Sequence, residues 1–329
     1  MHAITYERFG PASDVLSPAD IESPSPGEGE VRVKLSFSGV NPSDIKARAG
    51  TRPGVTKPAF PKVIPHSDGS GIIEAVGAGV DPARIGTRVW IWNGQWQRAF
   101  GTAATHITLP SAQAVALPDS VSLETGAVLG IPGLTAAEAV FGGGDVAGQT
   151  LLVAGAGGTV GFLALQLAKW GGAKVIATCS PRDFDRASAA GADAVIDYRA
   201  EDLPARIHAA NDGKDIDRIT EVEFGVNIAC DAEVIAPNGT IAAFGSALDM
   251  TPTVPFGPLL FKAVTIDIIL IYLLPDDRRQ RMIERLHVAL DAGALVCPVE
   301  AVFELADCAA AHDAVLAGSR TGAILLCCE

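Results

Sequence analysis

The segment Leu151-Leu152-Val153-Ala154-Gly155-Ala156-Gly157-Gly158-Thr159-Val160-Gly161 restricts the possible folds more than any other part of this 329-residue chain. Its apolar start reads as a buried strand, its glycines as a tight turn, and the apolar-periodic stretch 162–170 as the helix that follows. A strand that turns through glycines into a helix aims backbone N–H groups and the positive end of the helix dipole at one spot, where a pyrophosphate binds. Ala156, Gly158 and Gly161 take the three positions of the dinucleotide fingerprint, and a glycine on the first helical turn lets helix and strand pack closely.

The flanking sequence repeats the alternation. Strands are expected at 150–156, 174–179, 194–197, 218–222, 240–245 and 264–274, with helices at 158–171, 181–190 and 276–292. Such alternation implies βαβ units and a doubly wound parallel α/β sheet. Before it, short strands at 31–39, 70–76, 88–92 and 105–109 lie between Pro and Gly clusters, and the tail returns to β and short helix. The simplest parse is a nucleotide-binding domain, 124–293, inserted into a β-rich domain made of 1–123 and 294–329.

Composition excludes several classes. A hydrophobic content of 48% against 19% charged residues fits neither a disordered chain nor a coiled coil. The net charge of −13 disfavours nucleic acid and anionic membranes as partners. Residues 1–10 have no signal-peptide pattern, and no apolar run reaches the roughly 18 residues of a membrane helix, so the expected location is the cytoplasm. Six cysteines without a CxxC pair argue against a disulfide framework or a zinc ribbon.

Cofactor choice is written after the second strand. An acid about 20 residues beyond the glycines would bind the ribose 2′-OH of NAD. The strand ends instead in Cys179-Ser180-Pro181-Arg182. Ser180 can hydrogen-bond a 2′-phosphate and the Arg182 guanidinium can pair with it bidentately, which favours NADP(H). Otherwise Arg182 and Arg186 are solvated residues at a helix start.

The stretch Gln149-x-x-Leu152-x-x-x-Ala156-Gly157-Gly158-Thr159-x-Gly161-x-x-x-x-Gln166-x-x-Lys169 resembles the signature of zinc-independent quinone oxidoreductases, the zeta-crystallin-like group of the medium-chain dehydrogenase/reductase superfamily, with Thr159 in place of a glycine. Gly39-Val40-Asn41-Pro42-Ser43-Asp44, His66-Ser67-Asp68-Gly69-Ser70-Gly71 and Gly130-Ile131-Pro132-Gly133-Leu134-Thr135-Ala136 extend the likeness, and Asn227 stands where such members carry an Asn. The resemblance implies a Rossmann domain inserted into a GroES-like β-rich catalytic domain. It also implies NADPH as cofactor, held by Thr135, Ala156, Gly157, Gly158, Thr159, Val160, Gly161, Ser180, Arg182, Tyr198, Phe244 and Gly245, with Arg186 as a substitute cation. Zinc-dependent relatives have a Cys where this chain has Asn41 and a His-Glu pair where it has Ser67-Asp68, and 1–130 contains no cysteine for a structural zinc. No metal is therefore expected. His66 and His106 with Asp68 form the one alternative ligand set, and these histidines read more simply as surface or pocket residues.

Without a Lewis acid, the expected reaction is hydride transfer from NADPH to an electrophilic acceptor, a quinone. Reduction of α,β-unsaturated ketones or aldehydes is the alternative enzymatic reading, and a non-catalytic NADPH-binding crystallin-like protein is the alternative outside enzymes. The resemblance puts 41–48 beside the nicotinamide, so Asn41, Asp44 and Lys46 are the catalytic candidates. Lys46 replaces a common tyrosine and either donates to an oxyanion or points to solvent. In Trp90-Ile91-Trp92-Asn93-Gly94-Gln95-Trp96, alternation puts Trp90 and Trp92 on one strand face, with Trp92 and Trp96 as candidate walls for a planar acceptor and core packing as the plain account of Trp90. The β-branched run 264–274 would leave an apolar sheet edge, which predicts a homodimer through that strand, with a tetramer also open.

Overall fold

The computed structural model describes residues 1–51 and 54–329, and the chain forms two compact units, Met1–Ile131 with Cys297–Glu329, and Pro132–Val296. The boundaries therefore fall at 131/132 and 296/297 rather than at 123/124 and 293/294.

The second unit is built on a six-stranded parallel sheet. Its spatial order is Ala194–Asp197, Lys174–Cys179, Thr150–Ala154, Ile216–Glu221, Ile235–Ala243, Thr265–Ile268. The chain winds outward from Thr150–Ala154 in one direction and then from Ile216–Glu221 in the other, so the order reverses between these two strands. In such sheets ligands bind beyond the carboxyl ends of the strands at the reversal. Leu151, Leu152, Val153 and Ala154 are all buried, as expected of a parallel strand covered on both faces. Helix Thr159–Trp170 is buried from Gly161 through Ala168, which makes it a core helix rather than an amphipathic surface helix. Leu163, Leu165 and Leu167 are fully buried there, each contributing about 1.5–3 kcal/mol of apolar burial.

The first unit holds a seven-stranded sheet around Glu30–Val40, which pairs antiparallel with Asp68–Val76, His106–Pro110 and Ala323–Cys327. The final strand is thus laid against one near the start of the chain, and Val299–Glu304 pairs with it in parallel. Val31, Val33, Leu35, Ile73, Ile107, Ile324 and Leu326 form the centre of its core.

Three expected strands are shorter than their composition suggests, that at 150–156 ending at Ala154. The run 264–274 gives a strand only at Thr265–Ile268, followed by a 3₁₀ turn at Ile271–Leu273. Its one sheet neighbour, Ile235–Ala243, ends at the Ala243–Ile268 pair, so the ladder has no further partner. The strand expected at 88–92 is Arg88–Ile91, which leaves Trp92 beyond its end. The helix expected at 181–190 begins as a 3₁₀ turn, Pro181–Asp183, before Phe184–Ala189.

A buried carboxyl pair lies beside the central strands of the second unit. Glu221 and Asp231 are both almost wholly buried, and Oε1 of Glu221 accepts from the Asn227 Nδ2 at 2.9 Å and from the Glu223 N–H. Burial pushes the Glu221 carboxyl up to about 7, and burial with Glu221 nearby raises Asp231 well above the ordinary carboxylate range. A carboxyl raised by folding stabilises the fold below its unfolded value, and that contribution is lost as pH rises through the folded value. Thermal unfolding of the whole chain is therefore expected to show a stability loss on the order of 2 kcal/mol between pH of about 4.5 and about 7. Glu221→Gln should flatten this decline, and an unchanged profile would refute the assignment.

Candidate active site

The glycine turn has the geometry its sequence implies. Gly155 adopts φ +69°, a conformation that a side chain would strain, and turns the chain away from the strand. The Gly158 N–H then donates to the Gly155 carbonyl at 2.9 Å, and Gly158 is the N-cap of the helix. At Gly161 an added Cβ would lie 2.2 Å from the Gly155 oxygen, so only glycine lets this helix approach the turn. Ala156 is buried and donates its N–H to the Thr178 carbonyl, while Gly157, Gly158, Thr159 and Val160 remain at least partly accessible. Residues 157–160 thus form a backbone cradle at a helix N-terminus, which fits a pyrophosphate.

Ser180 and Arg182 sit at the carboxyl end of the neighbouring strand, joined through an acid that the sequence reading passed over. The Asp183 carboxylate is buried and accepts from Ser180 Oγ at 2.8 Å and Arg182 Nε at 3.3 Å. Arg186 lies 4.0 Å from it, donates to the Gly157 carbonyl at 3.1 Å and stacks 3.9 Å from the Phe162 ring centre. An added Cβ on Gly157 would lie 2.5 Å from the same carboxylate, so Asp183 rests directly on the glycine turn. Its position 22 residues after Gly161 was the available signal; counting only to the strand end missed it. Tyr198 follows the next strand, whose Asp197 pairs in register with Cys179, and is half exposed beside Arg199. Thr135 is buried in helix Leu134–Phe141. Phe244 donates its N–H to the Glu221 carbonyl, and Gly245 lies where a Cβ would meet the Val222 oxygen at 2.3 Å.

In the first unit, Asn41 caps helix Pro42–Ala49 and is buried. Its Nδ2 donates to Asp68 Oδ2 at 2.8 Å, and its backbone N–H donates to Asp44 Oδ2 at 2.7 Å. Asp44 is therefore an acceptor fixing the helix start. Lys46 is exposed on the same helix. Asp68, absent from the expected catalytic group, is fully buried; burial, and then Asp44, raise its carboxyl well above the usual range. Beyond Arg88–Ile91, Trp92 and Trp96 are half buried around a turn, whereas Trp90 is fully buried. The strand alternation therefore does not extend to 92, because that residue is no longer in the strand. His66 is buried, not a surface residue, and His106 instead lies 3.4 Å from Glu74.

Because the Gly161–Gly155 contact leaves no space for a methyl group, Gly161→Ala should displace the helix from the turn. The expected result is a lower melting temperature and roughly tenfold weaker dinucleotide binding, about 1.4 kcal/mol, by fluorescence titration. Unchanged affinity would show that the cradle does not hold the cofactor.

Comparison with known proteins agrees with this geometry. Residues 27–119 match the family model "Alcohol dehydrogenase GroES-like domain", and residues 159–287 match "Zinc-binding dehydrogenase". A quinone oxidoreductase of Pseudomonas aeruginosa is 30% identical over 332 residues, covering 98% of each chain. The solved quinone oxidoreductase of Pseudomonas syringae pv. Tomato superposes with TM-score 0.85 at 30% identity over 99% of both chains. That of Escherichia coli, solved with NADPH, gives TM-score 0.86 at 25% identity, covering 99% of this chain and 100% of its own. The switch-point cradle, the β-rich unit and these full-length relatives together establish that the chain belongs to the medium-chain dehydrogenase/reductase superfamily, in its quinone oxidoreductase-like group, and is an oxidoreductase.

Proposed function

We propose that this protein is an NADPH-dependent quinone oxidoreductase that works without zinc. The observation that carries the reading is the backbone cradle at 157–160 with Ser180, Arg182 and Arg186 gathered beside it. NADPH held there would supply the hydride, and the relative of known structure that was solved with NADPH supports this choice. Ser180 and Arg182 are assigned to the 2′-phosphate, with Tyr198 beside them and Thr135, Phe244 and Gly245 along the rest of the cofactor.

The Arg182–Asp183 pair does not oppose this assignment. With the Arg182 side chain 49% exposed, such a pair is worth about 0–1 kcal/mol, whereas a charge-assisted bond to phosphate contributes about 1.5–3 kcal/mol. Arg182 can therefore turn from Asp183 to the phosphate. Asp183 nonetheless repels a phosphate and can accept from a ribose 2′-OH, so it moderates the preference for NADPH over NADH.

Asn41 is assigned the role of donor to the oxygen of the acceptor as negative charge develops there. Its amide is oriented by the bond to Asp68, and Asp44 holds the backbone at that point. Trp92 and Trp96 are assigned to the wall of the acceptor site, and Lys46 to its exposed rim. A catalytic zinc does not fit the residues matching the ligand positions of zinc-dependent relatives, because Asn41 directs amide hydrogens at Asp68 and Ser67 offers only a neutral hydroxyl. The six cysteines are all free thiols, which supports a cytoplasmic location, and among the described residues no helix is long and apolar enough to cross a membrane.

The partner proposed besides the acceptor is a second copy of this chain. Thr265–Ile268 ends its sheet, Ile268 is 77% exposed, and Leu248, Phe261 and Leu273 are exposed in the same unit. An apolar edge of this kind is stabilised by pairing. Sedimentation should give a dimer that Ile268→Asp converts to monomer, and a wild-type monomer at all concentrations would refute the edge pairing.

Activity is tested by following NADPH oxidation with a panel of quinones and conjugated enones. Turnover with quinones is expected; turnover with enones alone would move the substrate class, and NADPH binding without any turnover would leave the crystallin-like reading. Ser180→Ala and Arg182→Ala should each raise the KM for NADPH about 10- to 100-fold and leave that for NADH unchanged. Asp183→Asn should increase the NADPH preference, and equal loss with both cofactors would refute the phosphate assignment.

A further inference from the structure

The first unit contains a second group of chemically competent side chains that the proposed hydride transfer does not use. His66 lies just before strand Asp68–Val76, while Cys308 and His312 occupy successive turns of one face of helix Cys308–Ala317. All three are buried, with relative exposures of 1% or less. One ligand atom from each lies within 4.8 Å of the others: His66 Nε2 is 2.8 Å from His312 Nε2 and 4.0 Å from Cys308 Sγ. The 5.0 Å between ring centres shows that the imidazoles meet tip to tip rather than face to face.

A chain of hydroxyl groups fixes which His66 nitrogen carries hydrogen. The Asp68 carbonyl can only accept, so Thr102 Oγ1 spends its hydrogen there. Ser38 Oγ must then donate to Thr102 Oγ1 at 2.8 Å, which leaves Ser38 to accept from His66 Nδ1 at 2.9 Å. His66 is thus the Nδ1–H tautomer, with the bare lone pair of Nε2 directed at His312. This is the arrangement of a metal-ligating histidine, whose far nitrogen donates to an outer partner. If His312 donates its Nε2 hydrogen to His66, its Nδ1 is left as a buried nitrogen without a hydrogen-bond partner. If it carries hydrogen on Nδ1 instead, two lone pairs face each other. An ion between them would remove that conflict.

Backbone strain adds an independent observation. His66 adopts φ +77°, a region that a bulky side chain rarely occupies without a specific reason. The cost is sustained at the one residue of this segment whose ring enters the cluster.

We propose that His66, Cys308 and His312 form a site for one zinc-class metal ion, separate from hydride transfer. Two nitrogens and a thiolate suit zinc, with bond lengths of about 2.0–2.1 Å to nitrogen and about 2.3 Å to sulfur. Such bonds put the two nitrogens about 3.3 Å apart and each nitrogen about 3.6 Å from sulfur, so the His66–His312 and His66–Cys308 spacings would change by about half an ångström while the two rings turn from tip to tip until their lone pairs converge on the ion. Binding releases the Cys308 thiol proton and moves or releases any proton on His312 Nε2. Because His66 lies two residues from Asp68, and Thr102 bonds to the Asp68 carbonyl, the ion would stiffen the segment that orients Asn41.

The test uses the full chain after chelator treatment, titrated with Zn(II) and with Co(II) as a spectroscopic probe. One equivalent per chain, a thiolate-to-cobalt charge-transfer band and a raised melting temperature are expected. Cys308→Ser should abolish the band while Cys230→Ser keeps it. His66→Gly should remain folded, because glycine accepts the backbone angle, and should lose at least about tenfold in Zn(II) affinity, about 1.4 kcal/mol. Absence of a thiolate band, a band that survives Cys308→Ser, or equal zinc affinity in folded His66→Gly would each overturn the proposal.

Discussion

The close approach of helix Thr159–Trp170 to the turn that precedes it is the constraint on which the second unit depends. Gly161 sits where any side chain would strike the Gly155 carbonyl, and Gly155 takes a backbone angle that favours glycine. These two residues bring the helix N-terminus over the end of the strand, and the buried side chains behind it hold it there. The cradle is therefore a product of packing: the backbone N–H groups converge because the helix has nowhere else to lie.

Around the cradle, charge is arranged by contacts that are individually modest. Asp183 is buried against Gly157 and collects Ser180, Arg182 and, at longer range, Arg186. A buried carboxylate of this kind needs partners, and it finds them in the groups proposed for the 2′-phosphate. The proposed cofactor recognition would consequently draw on the same side chains as local stability. In the first unit Asp68 plays a comparable part, since its buried carboxyl orients Asn41.

Much of this was readable in order along the chain. Parallel strands buried on both faces are continuous apolar runs, so Lys174–Cys179 coincides with its expected bounds. The edge strand was less readable, because 264–274 has the composition of a long strand but only four residues have a neighbour with which to pair. The strand at 88–92 was likewise less readable: period-two alternation holds only while the strand continues, and it ends at Ile91. Among site residues, the fingerprint and Ser180–Arg182 were visible as local patterns, whereas Asp68 and Asp183 matter through burial and partners that one-dimensional spacing does not display.

The amino-acid sequence alone determined the alternation of strands and helices, the insertion of one domain into another, the glycine turn and the family, because each is written in adjacent residues or short periods. Only the tertiary structure decided which distant residues meet. It set Cys308 and His312 against His66, more than two hundred residues away, laid the last strand beside Glu30–Val40, and placed Asp183 on the glycine turn. The physical reason is that local patterns specify backbone conformation and buried faces, while contacts between remote side chains arise only when those faces pack and polar groups enclosed with them must find partners.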